Sequence, residues 1–262
     1  MQTIALDVRF INEWLGTFFW VLTRISAVFS IAPVLGSRLI PMRIRLMCAL
    51  SITFLIVATM KTPVSIEPFS AAGFITTINQ ILIGVIIGFI LQIAFNAVMA
   101  AGELMAMTMG LGFAQMMDPQ NGAQVPVVSQ FYVIMSILLF LSFDGHTALI
   151  LLTTESFQYL PISAQGLSRE LFLDVAQSGS LLFLGGLLIA LPLVTALLIV
   201  NISMGLMTRS APQLNVFSVG FPLTMLLGFV MMLFMLPIFA PAFQHLIEQS
   251  YDWLHQYLLK TN

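Results

Sequence analysis

The chain has 262 residues, of which 59% are hydrophobic and only 8% are charged, and its mean hydropathy is +1.02. About a quarter of the residues in a soluble domain are charged. This chain therefore lacks the polar surface that a soluble globule needs. The formal net charge of −2 gives no basic footprint for nucleic acid. Composition therefore predicts a polytopic, all-α membrane protein that does not bind nucleic acid.

Six apolar segments can each supply the roughly 20 residues that cross a bilayer core. They cover residues 11–35, 44–60, 71–101, 125–143, 179–208 and 217–241. With six spans, the arginines between segments one and two and between segments five and six lie on one side of the membrane. These are Arg38, Arg43, Arg45 and Arg209. The positive-inside rule makes that side cytoplasmic and places both termini on the other side.

The third segment is too long for a simple span. Residues 71–109 contain no proline, and a continuous helix of that length measures about 58 Å, whereas the hydrocarbon core is about 30 Å thick. We expect the helix to tilt, to break near Gly102, or to continue beyond the membrane inside a complex. Gly84 and Gly88 form a G-x-x-x-G pair that permits close approach of a second helix.

The connection after this segment, "GLGFAQMMDPQNGAQVP" (110–126), is unusual for a loop between two apolar helices. Glycines at 110, 112 and 122 permit uncommon backbone angles, and Pro119 and Pro126 stop helices. Six of the 17 methionines lie between residues 99 and 117; they are either core filler or a deformable seal. Irregular backbone at membrane depth is tolerated only where protein buries it or water lines it, so this loop suggests a lumen.

Two further stretches carry amphipathic patterns. "LSRELFLDV" (167–175) places Leu167, Leu171, Phe172 and Val175 on one helical face. In the C-terminal helix, apolar residues line one side and polar residues line the other. The apolar positions are Phe243, Leu246, Ile247, Tyr251, Leu254 and Leu258, and the polar ones are Gln244, Glu248, Asp252 and His255. Because the polar side is not basic, we expect the apolar side to meet a partner protein rather than anionic lipid.

Few charged groups lie within the apolar path. Arg24 lies in the middle of the first segment, where a charge costs about 2.5–3.5 kcal/mol, so it should face protein or water and bind an acidic or carbonyl partner. Glu103 and Asp118 are further charged residues near helix ends along the apolar segments. Such groups form either an ion or proton site or a structural anchor. No nucleophile, phosphate-binding or zinc motif is present, and Asp144-Gly145-His146 is interpreted as a turn. We predict no enzyme activity, no metal and no cofactor.

The loop sequence and "MGLMTRSAPQLNVFSVGFP" (204–222) resemble the two signature regions of the FliR family, the flagellar branch of the type III secretion export-gate (FliR/SctT) proteins. The run from Ala211 to Phe217 is the most specific part. "AGELMAMTMGLGFA" (101–114) and "FDGHTALI" (143–150) fit the same family, and segment order agrees over the whole chain.

The resemblance implies an architecture and partners. FliR-like proteins join FliP and FliQ in a helical hetero-oligomeric channel, which here implies a FliP-like part over 1–175 and a FliQ-like helix hairpin with the C-terminal helix over 176–262. The hairpin tip, 208–217, would be cytoplasmic and wrapped by FlhB. FlhA and basal-body ring proteins are expected neighbours, unfolded flagellar export substrates are the expected cargo, and the location is the flagellar basal body in the bacterial inner membrane.

The resemblance also implies the site residues. The loop over 106–123 would project into the pore as a plug that keeps the export gate closed, and its expected residues are Gly110, Gly112, Phe113, Met116, Met117, Asp118, Pro119, Gln120, Asn121 and Gly122. The expected FlhB contacts are Arg209, Pro212, Gln213, Leu214, Asn215 and Phe217. The expected buried charges are Arg24 and Glu103.

Other classes remain open on the residues alone. A secondary transporter or ion channel with broken helices is suggested by the prolines of segments five and six, because discontinuous helices often form midplane sites. An intramembrane enzyme would need a nucleophile and base or a metal set. A structural scaffold without a gating role is a further alternative. An ion-leak measurement after deletion of the loop separates it from a gate, because only loss of a gate would change the conductance.

Overall fold

The computed structural model describes residues 8–37, 40–60, 63–64, 66–112, 126–210 and 216–258, with side chains omitted at 8–12, 210 and 216–219. Within these ranges all regular structure is helical, which confirms the all-α prediction. The helices are α1 (Val8–Ile31), α2 (Met42–Thr59), α3 (Ala71–Thr108), α4 (Val127–Ser142), α5 (Gly145–Tyr159), α6 (Arg169–Ser210) and α7 (Val216–Trp253), and α7 is followed by a π-helical turn (Leu254–Leu258).

Five of these helices are long and apolar enough to cross a membrane, and a sixth span is possible if α4 and α5 count as one. These two helices are bent by 65° at the break between them. Asp144 takes the left-handed conformation there, with φ of 54°. The predicted turn is confirmed at Asp144, whereas Gly145 and His146 already belong to α5. Helix α5 itself was not predicted, because Thr153, Thr154 and Glu155 interrupt its apolar run.

The chain divides into two compact units. The first comprises residues 1–92, 144–177 and 251–262, and the second comprises 93–143 and 178–250. Helix α3 belongs to both, because the division falls within it. The expected division into a FliP-like part and a FliQ-like hairpin concerns resemblance to other proteins, whereas the two units here are defined by their internal contacts. The expected division stays a prediction.

Glycine brings α3 against α1 in the first unit. A Cβ at Gly84 would lie 2.5 Å from the carbonyl oxygen of Arg24 and 2.7 Å from the Cβ of Ala27, and one at Gly88 would lie 3.0 Å from the amide nitrogen of Ala32. The contacts occur in the same order along both helices, so α1 and α3 run parallel. The predicted helix contact of the G-x-x-x-G pair is confirmed, because the two backbones approach where only hydrogen fits.

Arg24 joins α1 to α3 and α5. Its Nε donates to Oε1 of Gln80 at 2.8 Å, one terminal nitrogen to Oγ of Ser156 at 3.0 Å and the other to the carbonyl oxygen of Leu160 at 2.7 Å. The guanidinium also lies 4.0 Å from the ring centroid of Phe157. The expected carbonyl partner is thus present, and it follows the C-terminal end of α5, where the helix dipole favours a cation.

The segment after α5 is fixed by the same part of α3. Nδ2 of Asn79 donates to the carbonyl oxygens of Gln165 at 2.8 Å and of Ser163 at 3.3 Å. Arg24 is completely buried, with 0% of its side chain exposed, inside the chain itself. The geometry is that of a structural anchor, and its burial needs no partner protein.

The second unit is built on the C-terminal half of α3. Phe95 packs edge-on against Phe140 of α4 and Phe243 of α7, with ring centroids 5.6 and 5.4 Å apart. A Cβ at Gly102 would collide with the Cα and Oγ atoms of Ser129 in α4. Helix α3 nevertheless continues unbroken to Thr108, so the break near Gly102, one of the three alternatives for this helix, does not occur. That glycine serves close helix packing instead of a bend.

Two amphipathic predictions need correction. The apolar face of the C-terminal helix is buried in this chain rather than offered to a partner: Phe243, Leu246, Ile247, Leu254 and Leu258 are buried, and the hydroxyl of Tyr251 donates to the carbonyl oxygen of Gly145 at 2.7 Å. In the 167–175 stretch, Leu171 is buried but Phe172 is 45% exposed. Leu167 precedes the helix, which begins at Arg169, and both Leu167 and Val175 are half-buried. The expected apolar face is therefore buried only in part, and Phe172 does not belong to its buried side.

The anchor at Arg24 yields a first prediction. Replacing Arg24 with methionine leaves the carbonyl of Leu160 and the amide of Gln80 without their donor, and we expect a loss of about 3 kcal/mol in the free energy of unfolding. Arg24→Lys should recover only part of the loss, since one ammonium lacks the planar fork of a guanidinium. Thermal unfolding in detergent measures the effect, with Arg169→Met, at the exposed start of α6, as control. Equal stability of the two methionine variants would contradict the anchor.

A second prediction concerns the α1–α3 contact. We expect Gly84→Ala to lower the unfolding temperature, because the new methyl meets the backbone of Arg24, and overpacking of this kind costs roughly 1–3 kcal/mol. Gly179→Ala in α6 is the matched control, because no atom lies within 4 Å of its added Cβ; it should leave stability unchanged or raise it slightly. The contact would be refuted if both variants unfolded at the wild-type temperature.

Candidate functional site

The structure describes the start of the predicted plug loop and not its centre. Gly110 and Gly112 are described. The remaining predicted plug residues, namely Phe113, Met116, Met117, Asp118, Pro119, Gln120, Asn121 and Gly122, lie outside the described residues. Their pore-facing role stays a prediction.

A Schellman motif ends α3 at the root of this loop. The amide of Gly110 donates to the carbonyl of Met107, and that of Leu111 donates to the carbonyl of Ala106, each at 3.0 Å. These are the two hydrogen bonds of the motif, which places the residue after the helix in the left-handed region. Gly110 has φ of +85°, so the expectation of an uncommon backbone angle is confirmed at this position.

Side chains of α7 cover the root within the second unit. A Cβ at Gly110 would lie 2.8 Å from Cε2 and 2.9 Å from Cδ2 of Phe221, and one at Gly228 would lie 2.5 Å from Cγ of Met109. Met105 and Met109 are fully buried, whereas Met107 is 63% exposed. The core-filler interpretation therefore holds for Met105 and Met109.

The far end of the loop is equally well defined. Pro126 precedes the first turn of α4 with φ of −54°, a value that proline imposes. Ser129, in the first turn of α4, touches α3 at Gly102. Packed helices lie about 8–10 Å apart, whereas 15 residues (111–125) can extend to about 50 Å. The connection is far longer than the junction of α3 and α4 requires.

The predicted tip lies between α6 and α7, which are joined by residues 211–215 and meet again where Gly185 contacts Leu246. The two helices thus form an antiparallel hairpin. Arg209 is in the last turn of α6 and is exposed. Pro212, Gln213, Leu214 and Asn215 lie outside the described residues, and Phe217 is in the first turn of α7 without a described side chain.

The two predicted buried charges do not form a shared site. Arg24 uses its nitrogens on Gln80, Ser156 and Leu160, and Glu103 is half-buried in α3, one residue after Gly102. In the described part of the chain, no three His, Cys, Asp or Glu side chains are grouped as metal ligands would be.

Several residues that shape these sites were not singled out from the sequence. Asn79 and Gln80 had a signal, because adjacent amides in an apolar helix need partners. Phe221 had no such signal, because nothing in the sequence distinguishes it from the other phenylalanines, 22 in all, as the one that packs on Gly110. The identity of a packing partner depends on the tertiary fold, which short motifs do not specify.

Comparison with known proteins places the chain in a family. The model for bacterial export proteins, family 1, matches residues 15–250. The flagellar biosynthetic protein FliR of Escherichia coli (strain K12) is 42% identical over 92% of both chains, that of Pectobacterium carotovorum is 43% identical over 95% of both, and that of Aquifex aeolicus is 36% identical over 87% of this chain and 88% of its own. The chain therefore belongs to family 1 of the bacterial export proteins, the family of the flagellar biosynthetic protein FliR.

Proposed function

We propose that this chain is the FliR component of the flagellar protein export gate, which forms with FliP and FliQ the entry channel for unfolded export substrates. Its place is the flagellar basal body in the bacterial inner membrane, with the 106–123 loop as a plug. The observation that carries the plug proposal is the length of the α3–α4 connection, which is far greater than the distance between the two packed helix ends that it joins. Gly110 and Pro126 define both ends, and the 15 residues of sequence between them have a contour length of about 50 Å, far more than the junction of two packed helices requires.

The chemistry of the loop suits a plug. Methionine is unbranched and polarisable, so it adapts to irregular surfaces. Each of its dispersion contacts contributes only about 0.1–0.2 kcal/mol. Many such contacts together keep ions out, yet they break one at a time as an unfolded polypeptide advances. A plug of this kind needs no recognition of a particular sequence, which matches export substrates of varied composition.

The apolar exterior supports assembly with other membrane proteins. Helix α2 buries only Ala49, Thr53, Ile56 and Val57 in this chain. Large apolar side chains of α6, among them Phe183, Leu188 and Ile199, are also exposed. Such surfaces must be covered by lipid or by partner helices. FliP and FliQ are the partners proposed for them, with FlhA and the basal-body rings as further neighbours.

The α6–α7 tip is the proposed contact for FlhB. Its described flank presents the exposed Arg209 at the C-terminal end of α6. The segment joins two long helices of 42 and 38 residues, so it lies at the extremity of the hairpin. A wrapping partner can reach such a tip without displacing the helices behind it.

The alternative of a secondary transporter or ion channel finds less support. Discontinuous helices would supply its binding site, but α6 continues through Pro192, and α7 continues through Pro222, Pro237 and Pro241. We propose a passive gate rather than an enzyme, without cofactor.

Deleting residues 112–121 tests the plug. Leu111 and residues 122–125 would remain, and five residues still reach about 16 Å, enough to join α3 to α4. In cells that express the chain with FliP and FliQ, we expect a marked rise in ion leak, because the constriction is lost while the helices stay in place. Membrane conductance measures it.

A replacement of 112–121 by glycine and serine at unchanged length serves as the companion variant. It keeps the connection and removes the apolar contacts, so it should also leak. Wild-type conductance in both variants, with normal copurification of FliP and FliQ, would rule out the plug.

The double substitution Gln213→Ala with Asn215→Ala tests the tip. It removes two amide side chains that can hydrogen-bond to the backbone of a wrapping segment. Each lost hydrogen bond changes binding by about 0.5–1.5 kcal/mol. We expect weaker copurification of FlhB, while FliP and FliQ remain bound because they contact other surfaces. Unchanged recovery of FlhB would argue against this contact.

A further inference from the structure

The start of α1 and the start of α3 border a groove with an acidic lining. This groove, of about 910 Å³, lies within the first unit, and the 66–69 segment forms its third side. The ionisable residues that line it are Glu13 and Glu67, with no lysine or arginine among its described lining residues. Glu67 is exposed and Glu13 is half-buried. We call this groove the acidic mouth, and it attracts a ligand that carries a cationic group.

The walls of the acidic mouth are held in place by the chain itself. The amide of Val64 donates to Oγ1 of Thr17 in α1 at 2.8 Å, and a Cβ at Gly16 would lie 3.2 Å from Cγ of Pro68. A Cβ at Gly73, in the first turn of α3, would collide with the carbonyl oxygen of Pro68. The segment before α3 is therefore fixed against both helices, and the groove is preformed.

Two phenylalanine rings at the mouth do not make the contact that their positions predict. Oγ of Ser70 accepts a hydrogen bond from the amide of Gly73 at 3.0 Å, which makes Ser70 the N-cap of α3. The residues just before an N-cap and four positions after it, here Phe69 and Phe74, often pack together as a hydrophobic staple. Phe69 is nevertheless completely exposed, and Phe74 is 68% exposed. Both rings line the mouth and are available to an apolar ligand.

A narrow furrow continues from the acidic mouth along α1 and α3. It has a volume of about 470 Å³, shares Phe19 with the mouth, and reaches Ile31 along α1, with Ile81 and Val85 of α3 on its other side. From Phe19 to Ile31 the helix rises by about 18 Å, close to the roughly 15 Å of hydrocarbon in one leaflet of a bilayer. Glu13 begins the part of α1 that is long and apolar enough to cross a membrane. The mouth therefore lies at the level of lipid headgroups, and the furrow lies at the level of acyl chains.

The furrow is apolar and too narrow for a helix. The hydroxyls of Thr23 and Ser30, which line it, donate to the carbonyl oxygens of Phe19 and Ser26 one turn earlier, at 2.8 and 2.7 Å, so they are already satisfied. Spread over about 18 Å, the volume of the furrow gives a mean cross-section of about 26 Å², whereas a helix needs roughly 80–110 Å². A hydrocarbon chain one carbon wide needs only about 15–20 Å² at ordinary carbon contact distances.

We propose that the acidic mouth and the furrow together hold one phospholipid with an amine-bearing headgroup, of the phosphatidylethanolamine class. An acyl chain lies in the furrow between α1 and α3, and the ammonium group lies beside Glu67, to which it donates charge-assisted hydrogen bonds. A headgroup of the phosphatidylglycerol class has no cation to offset the repulsion between its phosphate and the carboxylates, so the site selects against it. The inference uses no residue of the plug or of the tip and is independent of the proposed function.

Native mass spectrometry of the full chain tests the headgroup. The chain is released from nanodiscs that contain equal parts of phosphatidylethanolamine and phosphatidylglycerol, and the wild type should retain the former in preference. We expect Glu67→Gln to lower the ratio of retained phosphatidylethanolamine to phosphatidylglycerol about threefold, the size of effect that the loss of one exposed ion pair gives. Glu170→Gln, at an exposed acid of the same unit in the first turn of α6, is the control and should keep the wild-type ratio.

A filled furrow tests the acyl chain. Ser26 is half-buried and lines the furrow, so the ring of Ser26→Phe should occupy the volume that the chain needs. We expect retention of phosphatidylethanolamine to fall about tenfold, which the exclusion of about two buried methylene groups is enough to cause. Ser203→Phe, at an exposed serine of α6, is the matched control, and thermal unfolding in detergent checks that both variants are folded.

Several outcomes would overturn the proposal. Equal retention of the two lipids by the wild type, or a ratio that Glu67→Gln leaves unchanged, would refute the headgroup. Unchanged retention by a folded Ser26→Phe variant would refute the furrow. The same measurement on the complex with FliP and FliQ separates lipid from protein. If phosphatidylethanolamine is retained by the chain alone and not by the complex, or if Ser26→Phe abolishes copurification of FliP or FliQ, a partner helix covers the furrow and the lipid is not its occupant.

Discussion

The close approach of other helices to the glycine backbone of α3 is the constraint on which the structure depends. Gly84 and Gly88 admit α1, Gly102 admits α4, and Gly110 ends the helix beneath a phenylalanine ring. Glycine within a helix costs about 1 kcal/mol relative to alanine. In α3 that cost is offset by backbone contacts that no side chain would permit. One uninterrupted helix of 38 residues thereby contributes to both compact units.

The buried cation of Arg24 is satisfied by neutral groups. Arg24 bonds to an amide, a hydroxyl and a carbonyl oxygen, and its guanidinium faces a phenyl ring. Hydrogen bonds from a charged donor contribute about 1.5–3 kcal/mol each, so three of them can balance the expense of a cation in an apolar setting. A proton relay would expose such groups to water or place them in a chain. The observed geometry instead ties three helices together.

The sequence predicted the elements better than their partners. All six long apolar runs are helical, and three of them (segments one, two and four) match their helices within four residues at both ends. Gly110 was marked by residue type alone, because a positive φ favours glycine. Helix α5 was missed because its threonines weaken the apolar pattern. The C-terminal face shows the limit most clearly: its periodicity indicated burial correctly but carried no information on whether Phe243 meets Phe95 or another protein. Long-range contacts depend on topology, which one chain's pattern does not encode.

The partners of Arg24 also bear on how the protein is made. Gln80 lies 56 residues after Arg24 in the chain, and Leu160 lies 136 residues after it. During synthesis the first helix must therefore leave the ribosome long before the carbonyl that completes its hydrogen bonding exists. Until then the cation is accommodated by water, by lipid headgroups or by the insertion machinery. The hydrogen bonding of Arg24 is consequently completed late, when more than half of the polypeptide has already been translated.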